Sequence, residues 1–246
     1  PLVRLAAPPP AAPPRLDPHP TRHLSPMAAP AFDTLLHYIG YEPANPDKHS
    51  TALLRVNFIW ASAFLGSDAA LEFASNRLKA LMEGAEIHPD IMRSVLQAGA
   101  YTGNDQVYDW FVQRMDQSRI EHERMNILTA LGCFKDKALI KKAQQYVLDT
   151  VPARNKFIPV VAMSANPYAV PLMWDWYVSH LREIEQFHPM LYERVVAAII
   201  PVAGIARADE VNNFFADYMQ KKEKARDVIK LSLERLEINL RMRAAN

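Results

Sequence analysis

Metal binding, acid–base work and nucleophilic attack all need particular side chains at workable spacing. The eight histidines, the lone cysteine and the lysine-rich runs of this 246-residue chain are where to look. His122-Glu123-Arg124-Met125-Asn126 opens like a zinc-binding His-Glu-x-x-His helix, but Asn126 stands where the second imidazole is needed. Without two imidazoles one helical turn apart the segment cannot grip zinc, and it reads instead as an exposed polar helix start. His180 and His188 lie eight residues apart, and Pro189 discourages the continuous helix that would give them a shared face. His19, His23, His37 and His49 have no paired carboxylate spacing. Cys133 follows Leu131-Gly132 at a helix end and reads as a small core residue rather than a reactive thiol. It also rules out an internal disulfide or a four-cysteine zinc site, so a reducing compartment such as the cytoplasm is allowed. There is no Gly-x-Ser-x-Gly elbow and no phosphate-cradling glycine loop. The expectation is a chain with no catalytic residue, no metal site and no cofactor of its own.

The charged runs are equally plain. Lys135, Lys137, Lys141 and Lys142 are offset by Asp136 and Asp149, and Lys221, Lys222 and Lys224 by Glu223. Solvated helix faces explain both, and with a net charge of +1 no nucleic-acid partner is expected. No apolar run is expected to reach the roughly 18 residues of a membrane span.

The aromatic stretch from Ser164 to Leu181 is the richest in information. Asn166 is a good N-cap and Pro167 a good first-turn residue, so a helix is expected from Asn166 to about Glu185. Val170, Trp174, Tyr177, Val178 and Leu181 form one apolar stripe, and Met173, Trp176 and His180 a second face beside it. A helix apolar on two sides packs between neighbours on both. Trp174 is expected in the core, whereas Trp176 is shared between core and a concave wall.

The elements that must carry these residues are helices throughout. Only seven glycines occur, and no segment alternates apolar and polar residues with period two. Starts and stops recur, among them Gly40, Gly66 followed by the cap Ser67-Asp68, His88-Pro89, and Thr102-Gly103-Asn104. The spacing predicts ten or more helices with short links, pairing at roughly 30 to 40 residues without a clean repeat in the letters. The predicted architecture is all-α, a HEAT-like superhelical array of antiparallel helix pairs over residues 31–246. Residues 1–30 hold more than half of the nineteen prolines and one acid, Asp17. They are expected to be extended or disordered, as a linker, a tag remnant or a misread start with Met27 as initiator.

Five segments then carry a resemblance. Asn166-Pro167, a short spacer, then Met173-Trp174-Asp175-Trp176 resembles the C-terminal helical domain of zinc aminopeptidases of the aminopeptidase N family. Phe32 to Ile39 with Gly40-Tyr41-Glu42-Pro43 resembles that domain's early leucine-rich helix and its Gly-(Tyr/Trp)-Glu-Pro ending. Ile127 to Asp136 is similar to its Leu-x-Ala-Leu-Gly…Asp turn, and Glu210-Val211-Asn212-Asn213-Phe214-Phe215 to its Glu-Val-x-x-Phe-Phe. Leu233 to Met242 is similar to its last charged helix. Together these run from about Ala31 to Met242.

The resemblance implies a non-catalytic domain that caps a catalytic cleft and shapes peptide access and length selection. Zinc, the His-Glu-x-x-His ligands and a Gly-x-Met-Glu-Asn segment would belong to a catalytic domain, and none of those motifs occurs in this chain. The implied partners are that catalytic domain, within the same parent protein, and peptides. Arg207 sits where the family can place a basic peptide contact, with Arg154, Trp176 and Tyr168 as further peptide-contact candidates. Some relatives carry Arg before the Asn-Pro; here it is Ala165. The alternative is a free-standing helical scaffold that binds a protein or peptide partner on its concave face.

Overall fold

A computed structural model of the chain describes residues 25–44 and 47–244. Among these residues every regular element is helical: α1 Ser25–Ile39, α2 His49–Phe64, α3 Asp68–Met82, α4 Pro89–Thr102, α5 Asp105–Gln117, α6 Glu121–Leu131, α7 Lys137–Asp149, α8 Phe157–Ser164, α9 Val170–Ser179, α10 Leu181–Ile184, α11 Pro189–Ala203, α12 Ala208–Lys221 and α13 Arg226–Ala244. The all-α expectation is met. The extended character expected of residues 1–24 falls outside the described residues. Residues 25–30 differ from expectation, because α1 begins at Ser25 and runs through Pro30. Pro26 fits a first turn, where its missing N–H costs nothing.

The packing follows a simple order. Helices α2, α4, α6, α8, α11 and α13 form one row in which each lies against the next. Off that row, α3 packs on α2 and α4, α5 on α4 and α6, α7 on α8, α9 on α8 and α11, and α12 on α13. Helix α1 closes against α2. Small residues bring helices close: a Cβ on Gly99 of α4 would meet the Leu78 side chain of α3 at 2.2 Å.

The apolar stripes decide which faces turn inward. Along α4, Ile91, Val95, Leu96, Ala98 and Ala100 are all buried, because this helix has neighbours on several sides. Pro189–Ala206 is long and apolar enough to cross a membrane by length and composition alone. In this fold its Tyr192, Val195, Val196, Ile199 and Ile200 are buried, with α8, α9 and α13 packed on the helix. The long helix expected from Asn166 to Glu185 divides at His180, whose φ of −117° and ψ of 26° are not helical. The His180 N–H keeps the ordinary helical bond to the Trp176 carbonyl, its Nδ1–H donates to the same oxygen at 2.9 Å, and α10 follows.

Candidate functional site

The segments that stood out in sequence turn out to be joints between helices. Gly40 has φ +78°, the left-handed conformation that ends α1 where a side chain would be strained. The fully buried Arg55 of α2 donates to the carbonyls of Gly40 (2.8 Å) and Ile39 (3.0 Å) and pairs with Asp47. A guanidinium thus caps the negative end of α1. The hydrogen bond and charge of Arg55 hold the Asp47 carboxyl below its usual range. Tyr41 packs tilted against Phe73 at 4.8 Å, and Glu42 pairs with Arg77.

The second joint lies between the α6–α7 and α8–α9 turns. Asn166 is buried; its Nδ2 donates to the carbonyls of Phe134 (2.7 Å) and Gly132 (3.0 Å), while its Oδ1 accepts from the Tyr168 N–H. Its own carbonyl accepts from Ala169 and Val170, so a capped turn leads into α9, four residues later than the Asn-Pro suggests. A Cβ on Gly132 would meet Ala162 Cβ at 2.5 Å and the Pro159 oxygen at 2.7 Å, so only glycine lets α6 approach α8 this closely. Neighbouring Cys133 is buried, and burial pushes its thiol up to about 12, partly countered by the Gln97 hydrogen bond. It sits in the core as a small buried residue, the place its sequence context suggests.

The third joint binds α9 to α12. Buried Trp174 donates to Glu210 Oε1 at 2.8 Å and meets Phe214 edge-on at 5.3 Å and Phe215 at 5.9 Å. The Glu-Val-x-x-Phe-Phe segment therefore forms the seat of the tryptophan.

His122-Glu123 needs correction. His122 is exposed, but Glu123 is only 2% exposed and is gripped by Arg114 through Nε (2.7 Å) and an NH2 group (3.2 Å), with Ser118 Oγ at 2.5 Å. The segment carries a buried carboxylate that a half-exposed arginine fastens to α5, not an exposed helix start. Among the described residues no group of three or more His, Cys, Asp or Glu side chains could hold a metal ion.

The four peptide-contact candidates are dispersed. Arg207 pairs with Asp175 of α9, with a second contact of 3.1 Å, and lies 3.8 Å from Glu210; these partners raise its pKa, the Asp175 hydrogen bond foremost. Trp176 is one residue along from Asp175, so α9 brings Arg207 and Trp176 to adjoining faces. Tyr168 is half-buried, edge-on to Tyr101 at 6.1 Å; Tyr101 also carries Lys135 over its ring at 4.3 Å. Burial, then the neighbouring Tyr168 hydroxyl, pushes the Tyr101 hydroxyl upward. Arg154 stands on a separate short turn, highly exposed, 3.3 Å from Glu121.

A groove of about 330 Å³ runs between α7 and α9, lined by Lys141, Gln144, Leu172, Asp175, Trp176 and His180 among others. Sequence reasoning reached Trp176 here but missed Gln144. Its signal was legible: a polar residue on the stripe of Ile140, Ala143 and Val147, which are all buried.

The chain as a whole is similar to known proteins. The family described as ERAP1-like C-terminal domain matches residues 15–238. The chain is 25% identical over 211 residues to Aminopeptidase M1 of Arabidopsis thaliana, covering 82% of this chain and 24% of that protein. It is 21% identical over 204 residues to glutamyl aminopeptidase of Rattus norvegicus, covering 78% and 22%. It is also 25% identical over 132 residues to leucyl aminopeptidase of Saccharolobus solfataricus, covering 52% and 17%. The chain spans about a quarter of the length of the first of these relatives, and the matches fall in their C-terminal part.

Proposed function

Because the chain belongs to the ERAP1-like C-terminal domain family, we propose that it serves as the non-catalytic helical domain of a zinc aminopeptidase. In this role it docks on the catalytic domain, caps the cleft and limits which peptides enter and how long they are. The observation that carries the proposal is the family match over residues 15–238, together with relatives that are aminopeptidases about four times longer than the matched region. Among the described residues no cluster of side chains could hold a metal ion; in this reading zinc belongs to the catalytic domain. Exposed Leu53 and Leu54 of α2, Val161 of α8 and Leu231 and Ile238 of α13 place apolar surface on members of the same row, suited to docking.

Peptide contacts are assigned to Trp176 and Arg207 at the α9–α12 face, with Tyr168 and Arg154 further along the chain. Arg207 already holds Asp175 and Glu210, so it would meet a peptide as part of that charged cluster rather than as a lone cation. Successive packing along one row, each helix against the next, supports the HEAT-like reading of the array.

The experiment is a reconstitution. The catalytic domain of the parent protein is assayed alone and joined to this chain, against peptides of increasing length with a common amino terminus. The proposal expects the joined protein to change its length preference, and Arg207→Ala to change that preference without abolishing hydrolysis of the shortest substrate. A catalytic domain that neither binds the chain nor alters its length profile when joined to it sinks the reading and leaves the free scaffold.

A further inference from the structure

We infer that residues 8–16 of this chain, its own proline-rich stretch, dock in the groove between α3 and α5 beside Trp110. The groove measures about 810 Å³, and its apolar wall is Leu78 and Met82 of α3 with Val107 and Trp110 of α5. Trp110 is half-buried against the Phe111 ring at 5.8 Å, and its indole N–H has no acceptor among the described residues. Glu83, at the end of α3, and Asp109, on α5, line the groove from its two sides. Both are exposed, and neither forms an ion pair among the described residues. The one cation in the lining, Lys79, leaves the groove net negative. All of these side chains but Leu78 keep exposed surface, so an occupant can reach them.

The sequence supplies an occupant of matching chemistry. Residues 8–16 read Pro-Pro-Pro-Ala-Ala-Pro-Pro-Arg-Leu. Such a run favours the polyproline II helix, whose carbonyls are all unpaired and which loses little entropy on docking. Its three-residue turn sets Pro10, Pro13 and Leu16 on one edge and Pro9, Ala12 and Arg15 on the next. The first edge suits an apolar wall containing a tryptophan, whose N–H can bond a carbonyl of the segment. The second carries a guanidinium to the carboxylates of Glu83 and Asp109. Charge agrees beyond that contact, because residues 1–24 hold Arg4, Arg15 and Arg22 against the single acid Asp17.

The point of attachment brings the segment within reach. Helix α1 starts at Ser25, and Asp33, about 12 Å further along it, accepts from Ser67 Oγ at 2.7 Å, at the start of α3. From Ser67 to Leu78 along α3 is about 17 Å. The ten residue steps from Arg15 to Ser25 extend to about 33–36 Å, enough for both legs.

The test uses the full 246-residue chain. A nitroxide is attached at Ala11→Cys in a Cys133→Ala background, and the same chain with the nitroxide reduced is the control. The readout is the indole N–H nuclear magnetic resonance of Trp110, assigned by its loss in Trp110→Phe. The expected result is loss of more than half of this signal, while Trp174 on α9 keeps its own. Arg15→Glu should restore the Trp110 signal, as should Pro10→Gly combined with Pro13→Gly. Glu83→Gln combined with Asp109→Asn should do the same at unchanged Tm, because both acids are exposed and unpaired in the fold. The N-acetylated, C-amidated peptide of residues 8–16 at about 10 mM exceeds the roughly millimolar effective concentration of a short tether, and should restore the signal too.

An undiminished Trp110 signal overturns the proposal. So does a loss that survives Arg15→Glu and the paired glycine variant, since that would be the mere nearness of a tethered chain. A loss produced by mixing nitroxide-bearing chains with isotope-labelled ones places the segment on a second copy and overturns docking within one chain. A Trp110 signal moved only by a joined catalytic domain gives the groove to that domain and overturns it equally. The inference is independent of the capping role: failure here leaves length selection untouched, and failure of length selection leaves this docking untouched.

Discussion

At the scale of single residues, the amide of Asn166 joins its own turn to carbonyls 32 and 34 residues earlier in sequence. Asn166→Ala would leave the carbonyls of Gly132 and Phe134 without their donor, at a cost of about 1–3 kcal/mol in urea unfolding. Asn166→Asp should cost more, since a carboxylate would face two carbonyl oxygens; equal stability of the two variants would refute the donor role. Ala225 offers the opposite sign. It stands before α13 at φ +58°, a left-handed conformation that only glycine adopts without strain. Ala225→Gly is expected to gain up to about 1 kcal/mol, less the extra freedom glycine has when unfolded, measured as a raised urea midpoint at unchanged slope. A capping role for Asn166 was readable from Asn-Pro itself, because capping is local. Its amide's partners were not readable, because nothing nearby in sequence announces a contact made by the fold.

At the scale of elements, the break at His180 leaves Glu185, at the end of α10, to clamp α12. Burial would raise its carboxyl, but hydrogen bonds from Lys222 and Tyr218 and the charges of Lys222 and Lys224 hold it below the usual range. Tyr218 donates to Glu185 at 2.7 Å, Tyr192 donates to Tyr218 at 3.0 Å, and Tyr177 meets Tyr192 at 2.8 Å. This chain of hydroxyls ties α9, α10, α11 and α12 together. A carboxyl with a lowered folded pKa stabilises fully above the unfolded value, roughly 4.3, and loses that contribution as pH falls through the folded value. Glu185→Gln should therefore be less stable than the parent at pH 7, and the gap should narrow below about pH 4. A gap that stays constant from pH 7 to pH 3 would place the stabilisation in shape rather than charge. The helices themselves were largely legible, since stripes, caps and prolines are encoded within each segment. The division of the α9–α10 segment was not: it rests on the non-helical backbone of His180, where no proline or glycine stands to signal it. Gln144 and Trp176 could be placed on faces from spacing, yet only the fold showed that their buried donors go unanswered.

At the scale of the whole molecule, the row α2, α4, α6, α8, α11, α13 makes each helix depend chiefly on its neighbours. In such an array stability is close to a sum of local terms, and damage at one end need not reach the other. Arg55 is the means of testing this, because it fastens α1 to α2 at the N-terminal end through the Gly40 and Ile39 carbonyls. The Glu185 clamp and the Trp174–Glu210 bond lie toward the other end. Arg55→Ala should raise amide hydrogen exchange in α1 and α2 by about ten- to a hundredfold while α11 to α13 change less than about twofold. Combined with Glu185→Gln, the two losses of stability should add within about 0.5 kcal/mol. Uniform loss of protection along the chain, or strong coupling between the two sites, would mean that the row behaves as one cooperative core and not as an array. The distinction bears on the proposed capping role: an array could shift one end against a catalytic domain while the joints at Asn166 and Trp174 keep the α7–α9 face in shape.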